Sequence, residues 1–283
     1  MRWGKGKRSA NIEDRRGRRM GGKAAGGIGG IGLIVAVGYL LLSGDPSMLI
    51  RQIAGGIGGG QTQQTAPAQT SEQEEQVKDF ISVVLADTEQ VWEGIFKENG
   101  LTYQDPTLVL YTDQTPTACG TGQAAAGPFY CPGDRKLYLD LSFLGEMKRM
   151  GATGDFALAY VVAHEVGHHV QTLVGTADKV RQMQARSSQI ESNQIQVAME
   201  LQADCLAGVW AHHAERQRQI LEEGDIEEGI RAAAAVGDDH LQRMAGRRVV
   251  PEAFTHGSSE QRMDWLKRGL STGDVQACNA FEA

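Results

Sequence analysis

The segment His164-Glu165-Val166-Gly167-His168 carries the residue types of a hydrolytic metal site. On an α-helix, side chains four positions apart lie one turn above each other on the same face, so two such imidazoles can bind one ion. Zinc enzymes bind Zn²⁺ through ring nitrogens of this kind and keep one coordination position for water. A neighbouring carboxylate, here Glu165, can act as the general base. The alternative is an ordinary helix with two surface histidines. The apolar run 156–163 argues against it, because this run is typical of a buried helix, where unpaired polar side chains are costly.

A third zinc ligand is expected further along the chain. A third histidine six positions after His168 is excluded, because that position is Val174. Glu200 is the better candidate, since it shares a helical face with Asp204 in the helical run 195–220. We predict that Glu200 binds the metal and that Asp204 accepts the free ring N–H of a ligand histidine. The alternative is an acidic pair on a solvated helix face.

Five segments of the chain resemble one family, the bacterial neutral zinc metallopeptidases of the YpfJ type. They are Met1–Trp3, Gly127–Pro132, Ala163–Gln171, Glu200–Ala211 and Thr255–Arg262. The resemblance runs from end to end and implies a membrane-anchored peptidase with a gluzincin-like HExxH…ExxxD site. It does not define the substrate.

Two further polar residues are candidates near the site. His256 is similar to a downstream histidine in HtpX-type membrane peptidases, where such a residue is thought to stabilise the oxyanion. The alternative is a loop histidine before a helix cap at Ser258 or Ser259. Arg262 either anchors a carboxylate in the site or is a surface charge. The remaining histidines have no ligand-like spacing and are predicted to be structural or solvated: His169, His212, His213 and His240.

Four cysteines indicate an oxidising compartment, with three possible connectivities for two disulfide bonds. Local spacing favours Cys119 with Cys131, which leaves Cys205 with Cys278 to tie the helix of Glu200 to the C-terminal end. The rival interpretation is a thiolate zinc site, but no Cys-x-x-Cys unit supports it.

The elements that must position these residues indicate a mostly helical α+β fold with a small sheet, a zincin-like domain. From Glu72 the pattern becomes helical, with apolar residues from Val77 to Phe96, and it ends at Asn99-Gly100, which predicts a core helix. The runs 108–111 and 137–141 are typical of strands. If such a strand lies beside the zinc helix, its free edge can bind an extended peptide.

The N-terminal part of the chain differs in character from the rest. Residues 1–23 hold nine Lys or Arg against two Asp or Glu, a charge of +7. Residues 24–44 carry no formal charge and are long enough to span a bilayer. We therefore predict a transmembrane helix over 24–44, with a cytoplasmic N-terminus and an extracytoplasmic, periplasmic domain on the inner membrane. A cleaved signal peptide is the alternative, although no small-x-small cleavage site closely follows the apolar core.

Composition divides the remaining chain into a linker and a domain. Residues 45–71 are rich in Gly, Gln and Thr, with too little apolar content to repay ordering, and are predicted to form a flexible linker. Residues 72–283 are predicted to form the metallopeptidase domain. After residue 23 the chain holds 19 Lys or Arg against 33 Asp or Glu, a charge of −14 that excludes nucleic acid as a partner.

The sequence thus predicts a membrane-anchored zinc metalloendopeptidase that acts on peptides or proteins, with Glu165 as base. One alternative is a zinc-stabilised binding or chaperone module without turnover, although a structural zinc site normally has four ligands and no use for a base. Another is a zinc amidase of cell-wall peptides. The oligomeric state is not predicted.

Overall fold

The structure is a computed structural model that describes residues 1–17 and 71–282. Within these ranges the chain forms eight α-helices and six β-strands. The helices are α1 (Glu72–Glu98), α2 (Phe143–Arg149), α3 (Asp155–Leu173), α4 (Thr176–Gln184), α5 (Gln189–Arg218), α6 (Asp225–Ala235), α7 (Asp238–Met244) and α8 (Ser259–Thr272). The strands are β1 (Ile12–Asp14), β2 (Thr107–Tyr111), β3 (Gln114–Thr117), β4 (Gly120–Gln123), β5 (Phe129–Cys131) and β6 (Lys136–Asp140).

Helix α3 lies at the centre of the helical layer. It is apolar on most of its surface, as expected for a helix buried on several sides, and it packs against α1, α5 and α6. Phe156 near its start stacks on Trp210 of α5, with ring centroids 6.1 Å apart. The residues of the 164–168 segment therefore lie on a helix that is held by neighbouring helices and does not depend on helix propensity alone.

Helix α5 pairs closely with α8. Ser188 and Glu191 form a capping box that begins α5 and satisfies backbone N–H groups of its first turn. Further along, α5 crosses α8 at Gly269, where any side chain would overlap the carbonyl of Cys205. The missing side chain lets the two helices approach closely, which brings residues of α8 within reach of α5.

One four-stranded sheet has the order β1-β2-β6-β5. The β1-β2 and β2-β6 pairs are parallel, and β5 runs antiparallel to β6 at one end of the order. Leu108 and Leu110 of β2 pack into the main core, whereas Val109 and Tyr111 join a second cluster on the other face. Strands β3 and β4 form a separate hairpin, and β5 packs against α3.

The first seventeen residues pack against the rest of the domain. Strand β1 pairs with β2, with Ile12 opposite Leu108. The amino group of Met1 lies 3.0 Å from Asp155 at the start of α3 and 3.3 Å from Asp225 at the start of α6. Although burial lowers the pKa of this amine, the carboxylates around it raise that pKa to about 10. This segment therefore contributes to the fold of the domain.

The prediction of a mostly helical α+β fold with a small sheet is confirmed, and the added transmembrane helix is corrected. In residues 1–17 and 71–282, no helix combines the length and apolar character that crossing a bilayer requires. The predicted span, residues 24–44, lies outside the described residues. The likeness to zincins stays a prediction.

The predicted localisation is wrong as well. It placed the N-terminal basic segment in the cytoplasm and the domain on the other side of a membrane. Strand β1 instead forms hydrogen bonds with β2 in one sheet, so both segments lie on the same side. Three of the basic side chains that suggested a cytoplasmic flank form ion pairs with carboxylates of the described residues: Arg8–Asp79, Arg15–Glu13 and Arg16–Asp14.

Candidate metal centre

The structure brings His164 and His168 together with Glu200. The two histidines lie one turn apart on α3, with ring centroids 4.8 Å apart. Their Nε2 atoms lie 3.2 Å and 3.4 Å from the same oxygen, Oε2 of Glu200 on α5. One possible ligand atom from each of the three residues lies within 4.8 Å of the other two. Two nitrogens and one carboxylate oxygen thus converge on one point.

The approach of α3 to α5 depends on Gly167, in the middle of the 164–168 segment. A Cβ atom at this position would lie 3.0 Å from the carbonyl oxygen of Ala203 and 3.1 Å from its Cα. Real side chains seldom make such close contacts with backbone. A glycine here therefore lets the helix of the histidines approach the helix of Glu200.

Asp204 holds the other ring nitrogen of His164. Its Oδ1 atom lies 2.8 Å from Nδ1 of His164, and the side chain is fully buried. Burial alone would raise the pKa of Asp204, but Arg262 and His164 outweigh it and lower that pKa to about 2. The ionised carboxylate accepts the Nδ1–H, which leaves the lone pair of Nε2 directed towards Glu200.

Arg262 and Tyr160 complete the hydrogen bonding of Asp204. Arg262 donates from Nε at 2.8 Å and from Nη2 at 2.9 Å, and Tyr160 donates its hydroxyl at 2.5 Å. Arg262 is 3% exposed, so it is not a surface charge. The first of the two alternatives for Arg262 is therefore the one observed. Arg262 anchors a carboxylate, that of Asp204.

Glu165 is also buried, at 8% exposure. Burial raises the pKa of Glu165, while the positive charge on His168 and His164 acts in the opposite direction. Within the residues described, Glu165 forms no ion pair, in contrast to Glu200. It follows His164 directly on α3, and the charges of both histidines act on it.

His256 lies in the loop before α8 and is held by Asp238. Its Nδ1 is 3.1 Å from Oδ1 of Asp238, and its backbone N–H donates to Oδ2 at 2.7 Å. Asp238 also accepts the backbone N–H groups of Thr255 and Gly257. The ring of His256 is half exposed, at 50%, and it does not belong to the cluster of possible metal ligands.

Three other histidines, His169, His212 and His213, have partners away from the convergent nitrogens. His169 bonds the carbonyl of Gln104 and the hydroxyl of Tyr130, and burial lowers its pKa to about 4. His212 and His213 bond the carbonyls of Leu270 and Gly273 near the end of α8. His240 also lies outside the cluster.

The four cysteines form the two disulfides Cys119–Cys131 and Cys205–Cys278. The first closes the loop between β3 and β5, and the second joins α5 to the 3₁₀ turn Val275–Cys278. Since no free thiol remains, the rival interpretation of a thiolate zinc site has no ligands.

Several side chains around the site escape sequence reasoning, among them Tyr160, Gln171 and Asp238. Tyr160 lies four positions before His164, and Gln171 lies three after His168, where its Oε1 meets Nδ1 of that histidine at 2.8 Å. Both spacings belong to one helical face and are visible in the sequence as polar atoms within an apolar helix. Asp238 has no local signal, because its contact with His256 depends on how two loops fold together.

The donor set fits zinc. Two imidazoles with their Nδ1 atoms bound to acceptors, together with one carboxylate, match the His₂Glu ligand sets of catalytic zinc sites. In such sets the Nε2 lone pairs and the carboxylate oxygen are the atoms that bind the metal. The arrangement therefore defines the class of site found in zinc hydrolases.

Comparison with known proteins agrees with this class. Residues 1–281 match the family described as "Putative neutral zinc metallopeptidase", and this chain belongs to that family. It is 48% identical to "Uncharacterized protein YpfJ" of Escherichia coli strain K12 in an alignment 298 positions long that covers 99% of both chains. It is 41% identical to "Uncharacterized protein Rv2575" of Mycobacterium tuberculosis strain H37Rv over 194 residues, or 64% of each chain. No solved structure matches. The family resemblance seen in the sequence is confirmed.

Proposed function

We propose that this chain is a zinc-dependent endopeptidase whose metal is bound by His164, His168 and Glu200. The convergence of two Nε2 atoms and one carboxylate oxygen, each imidazole anchored through Nδ1, carries the proposal. When bound, zinc polarises a carbonyl and lowers the pKa of water to about 7.

Glu165 is proposed as the general base. It follows His164 on α3, and burial raises its pKa. A carboxylate with a raised pKa is a better base near neutral pH than a fully solvated one. Its carboxylate accepts the proton of the attacking water and then delivers it to the nitrogen of the leaving amine. This role needs an acidic side chain at position 165 but no metal ligand there.

His256 is proposed to stabilise the oxyanion of the tetrahedral intermediate. Asp238 accepts Nδ1–H and the backbone N–H of His256, so the protonated imidazolium ring donates to substrate through Nε2–H. The half-exposed ring is accessible to a substrate, unlike the buried ligands. Asp238 acts on the reaction only through His256.

Strand β5 is proposed to align the peptide. In the described sheet it pairs on one side with β6, and it packs against α3, which carries the histidines. An extended peptide that adds to this edge forms backbone hydrogen bonds whatever its side chains are. The substrate class is therefore an unfolded or extended segment of a protein or peptide.

Metal analysis and peptide digestion of the purified full-length chain test the proposal. We expect about one zinc ion per chain, and cleavage of a peptide library that stops with chelator and returns with added zinc. Bound zinc without cleavage of any peptide would favour the binding module. Cleavage confined to cell-wall peptides would favour the amidase, and failure to bind zinc would reject the metal centre.

A further inference from the structure

The ring of His168 is oriented by a neutral side chain, unlike the ring of His164. Its Nδ1 lies 2.8 Å from Oε1 of Gln171, whereas Nδ1 of His164 faces the ionised Asp204. A carboxylate can only accept a hydrogen bond, but an amide has one accepting and one donating end. The tautomer of His168 therefore depends on which end of Gln171 faces it.

A backbone carbonyl decides the orientation of Gln171. The amide nitrogen of Gln171 donates to the carbonyl of Met199 at 2.8 Å and to Oε1 of Gln202 at 3.0 Å. A carbonyl oxygen only accepts, so the reversed amide would place two acceptors against each other. Gln171 is fully buried, so no bulk solvent relieves that conflict. Oε1 must therefore face His168.

A second backbone carbonyl decides the orientation of Gln202. Its amide nitrogen donates to the carbonyl of Cys278 at 3.1 Å, which leaves Oε1 to accept from Gln171. Cys278 is bonded to Cys205, the neighbour of Asp204 on α5. The chain of hydrogen bonds thus begins at His168 and ends at a carbonyl whose position the disulfide fixes.

We propose that Gln171 and Gln202 are positioning residues that hold His168 as the Nδ1–H tautomer, with the disulfide-bonded C-terminal turn as their anchor. The inference rests on the proposed zinc site. The lone pair of Nε2 is then available on the side of Glu200 before any metal arrives. The C-terminal turn supplies none of the three proposed zinc ligands, yet it acts on the proposed metal centre through two amides.

Zinc affinity of the full-length protein, measured by competition with a chelator, tests the amide relay. Gln171→Met and Gln202→Met keep the approximate side-chain shape but remove the polar ends. We expect affinity to fall roughly 10- to 100-fold for Gln171→Met, and about 10-fold for Gln202→Met, the range found when groups that orient a ligand are lost. Gln189→Met, at an exposed position of α5, is the matched control and should bind zinc as the wild type does.

The disulfide gives a readout that loss of general stability would not produce. Replacing Cys205 and Cys278 by Ser should weaken zinc binding in the wild type, but add little in the Gln202→Met background, where the relay is already cut. Fully additive losses would overturn the proposed anchor. Circular dichroism verifies folding, and Gln202→Met, which is only half buried, serves if Gln171→Met does not fold.

The two proposals fail in different ways. Unchanged zinc affinity in both folded glutamine variants would overturn the relay and leave the metal centre standing. Absence of zinc binding by the wild-type protein would overturn the metal centre and the relay with it.

Discussion

The carboxylate of Asp204 lies 2.8 Å from Nδ1 of His164, although the two residues are 40 positions apart in the chain. The same carboxylate receives a two-point contact from Arg262 on α8. Three helices, α3, α5 and α8, therefore meet at one buried acidic group. The orientation of His164, a proposed metal ligand, therefore depends on contacts from all three helices.

Substitution of Glu165 by Gln separates metal binding from hydrolysis. The variant should retain zinc, because the three proposed ligands are unchanged, and it should lose about 10²- to 10⁴-fold in kcat, because the base is removed. Zinc content by mass spectrometry and peptide cleavage measure the two effects. Glu98→Gln, at the exposed end of α1, is the control and should cleave normally. Normal turnover by Glu165→Gln would reject the mechanism.

Loss of Arg262 should destabilise the fold. Arg262→Met leaves Asp204 as a buried charge with one partner removed, which typically costs about 3–5 kcal/mol of unfolding free energy. Arg262→Lys retains the charge but not the planar fork, so its cost should be intermediate.

Urea unfolding of these variants gives the measurement. Arg268→Met, on the exposed side of the same helix, should cost less than about 1 kcal/mol, because it loses only a contact with the ring of Trp265. An Arg262→Met protein as stable as Arg268→Met would show that Asp204 does not need this partner.

His256 and Asp238 are expected to act as one unit. His256→Ala should lower kcat about 10²- to 10³-fold with little change in KM, as for loss of one oxyanion donor. Asp238→Asn should lower kcat in the same way but less, since asparagine retains part of the hydrogen bonding. The double variant should be no slower than His256→Ala alone, because Asp238 acts through the imidazole.

Steady-state kinetics on one cleaved peptide measure these values, with Asp264→Asn, an exposed residue of α8, as the control. Independent, multiplicative losses in the double variant would show that Asp238 has a separate role. An equal rise of KM with unchanged kcat in His256→Ala would assign His256 to substrate binding.

Glu13 gives the fold a dependence on acid pH. Hydrogen bonds from Arg15 and Lys136 lower its pKa from the ordinary 4.5 to about 2. A carboxylate with a lowered pKa in the folded chain stabilises the fold above pH 4.5, and this contribution is lost as the pH falls from 4.5 towards 2. Because the side chain is 36% exposed and screened, we expect a contribution of about 1 kcal/mol.

Unfolding of Glu13→Gln and wild type across this pH range measures that contribution. The variant should be less stable at neutral pH, and the difference should vanish near pH 2. A difference that stays constant with pH would show that the ion pairs of Glu13 with Arg15 and Lys136 do not contribute through its charge.

Local periodicity predicted much of the fold, because it acts within one element. The sequence placed helix α1 and strands β2 and β6 nearly at their observed bounds, since apolar spacing reports burial directly. It also brought His164, His168 and Glu200 forward as one group, because four-residue spacing identifies a helical face. The catalytic and metal-binding roles of these residues stay predictions.

What the sequence could not show depends on contacts between distant segments. Ile12–Asp14 is short and acidic and lies in a basic stretch that predicts a cytoplasmic N-terminus, yet it pairs with β2. Its strand conformation comes from its partner, not from its own composition. Asp238 and Gln202 were missed for a similar reason, since the groups they bind lie on other elements.

The two boundaries of the undescribed stretch 18–70 lie next to each other in space. Arg16 contacts Glu75 at 2.5 Å, and Lys78 contacts Asp14 at 2.9 Å. Ion pairs thus join the segment that precedes this stretch directly to the helix that follows it. The relative position of β1 and α1 is therefore set by side chains of the described residues themselves.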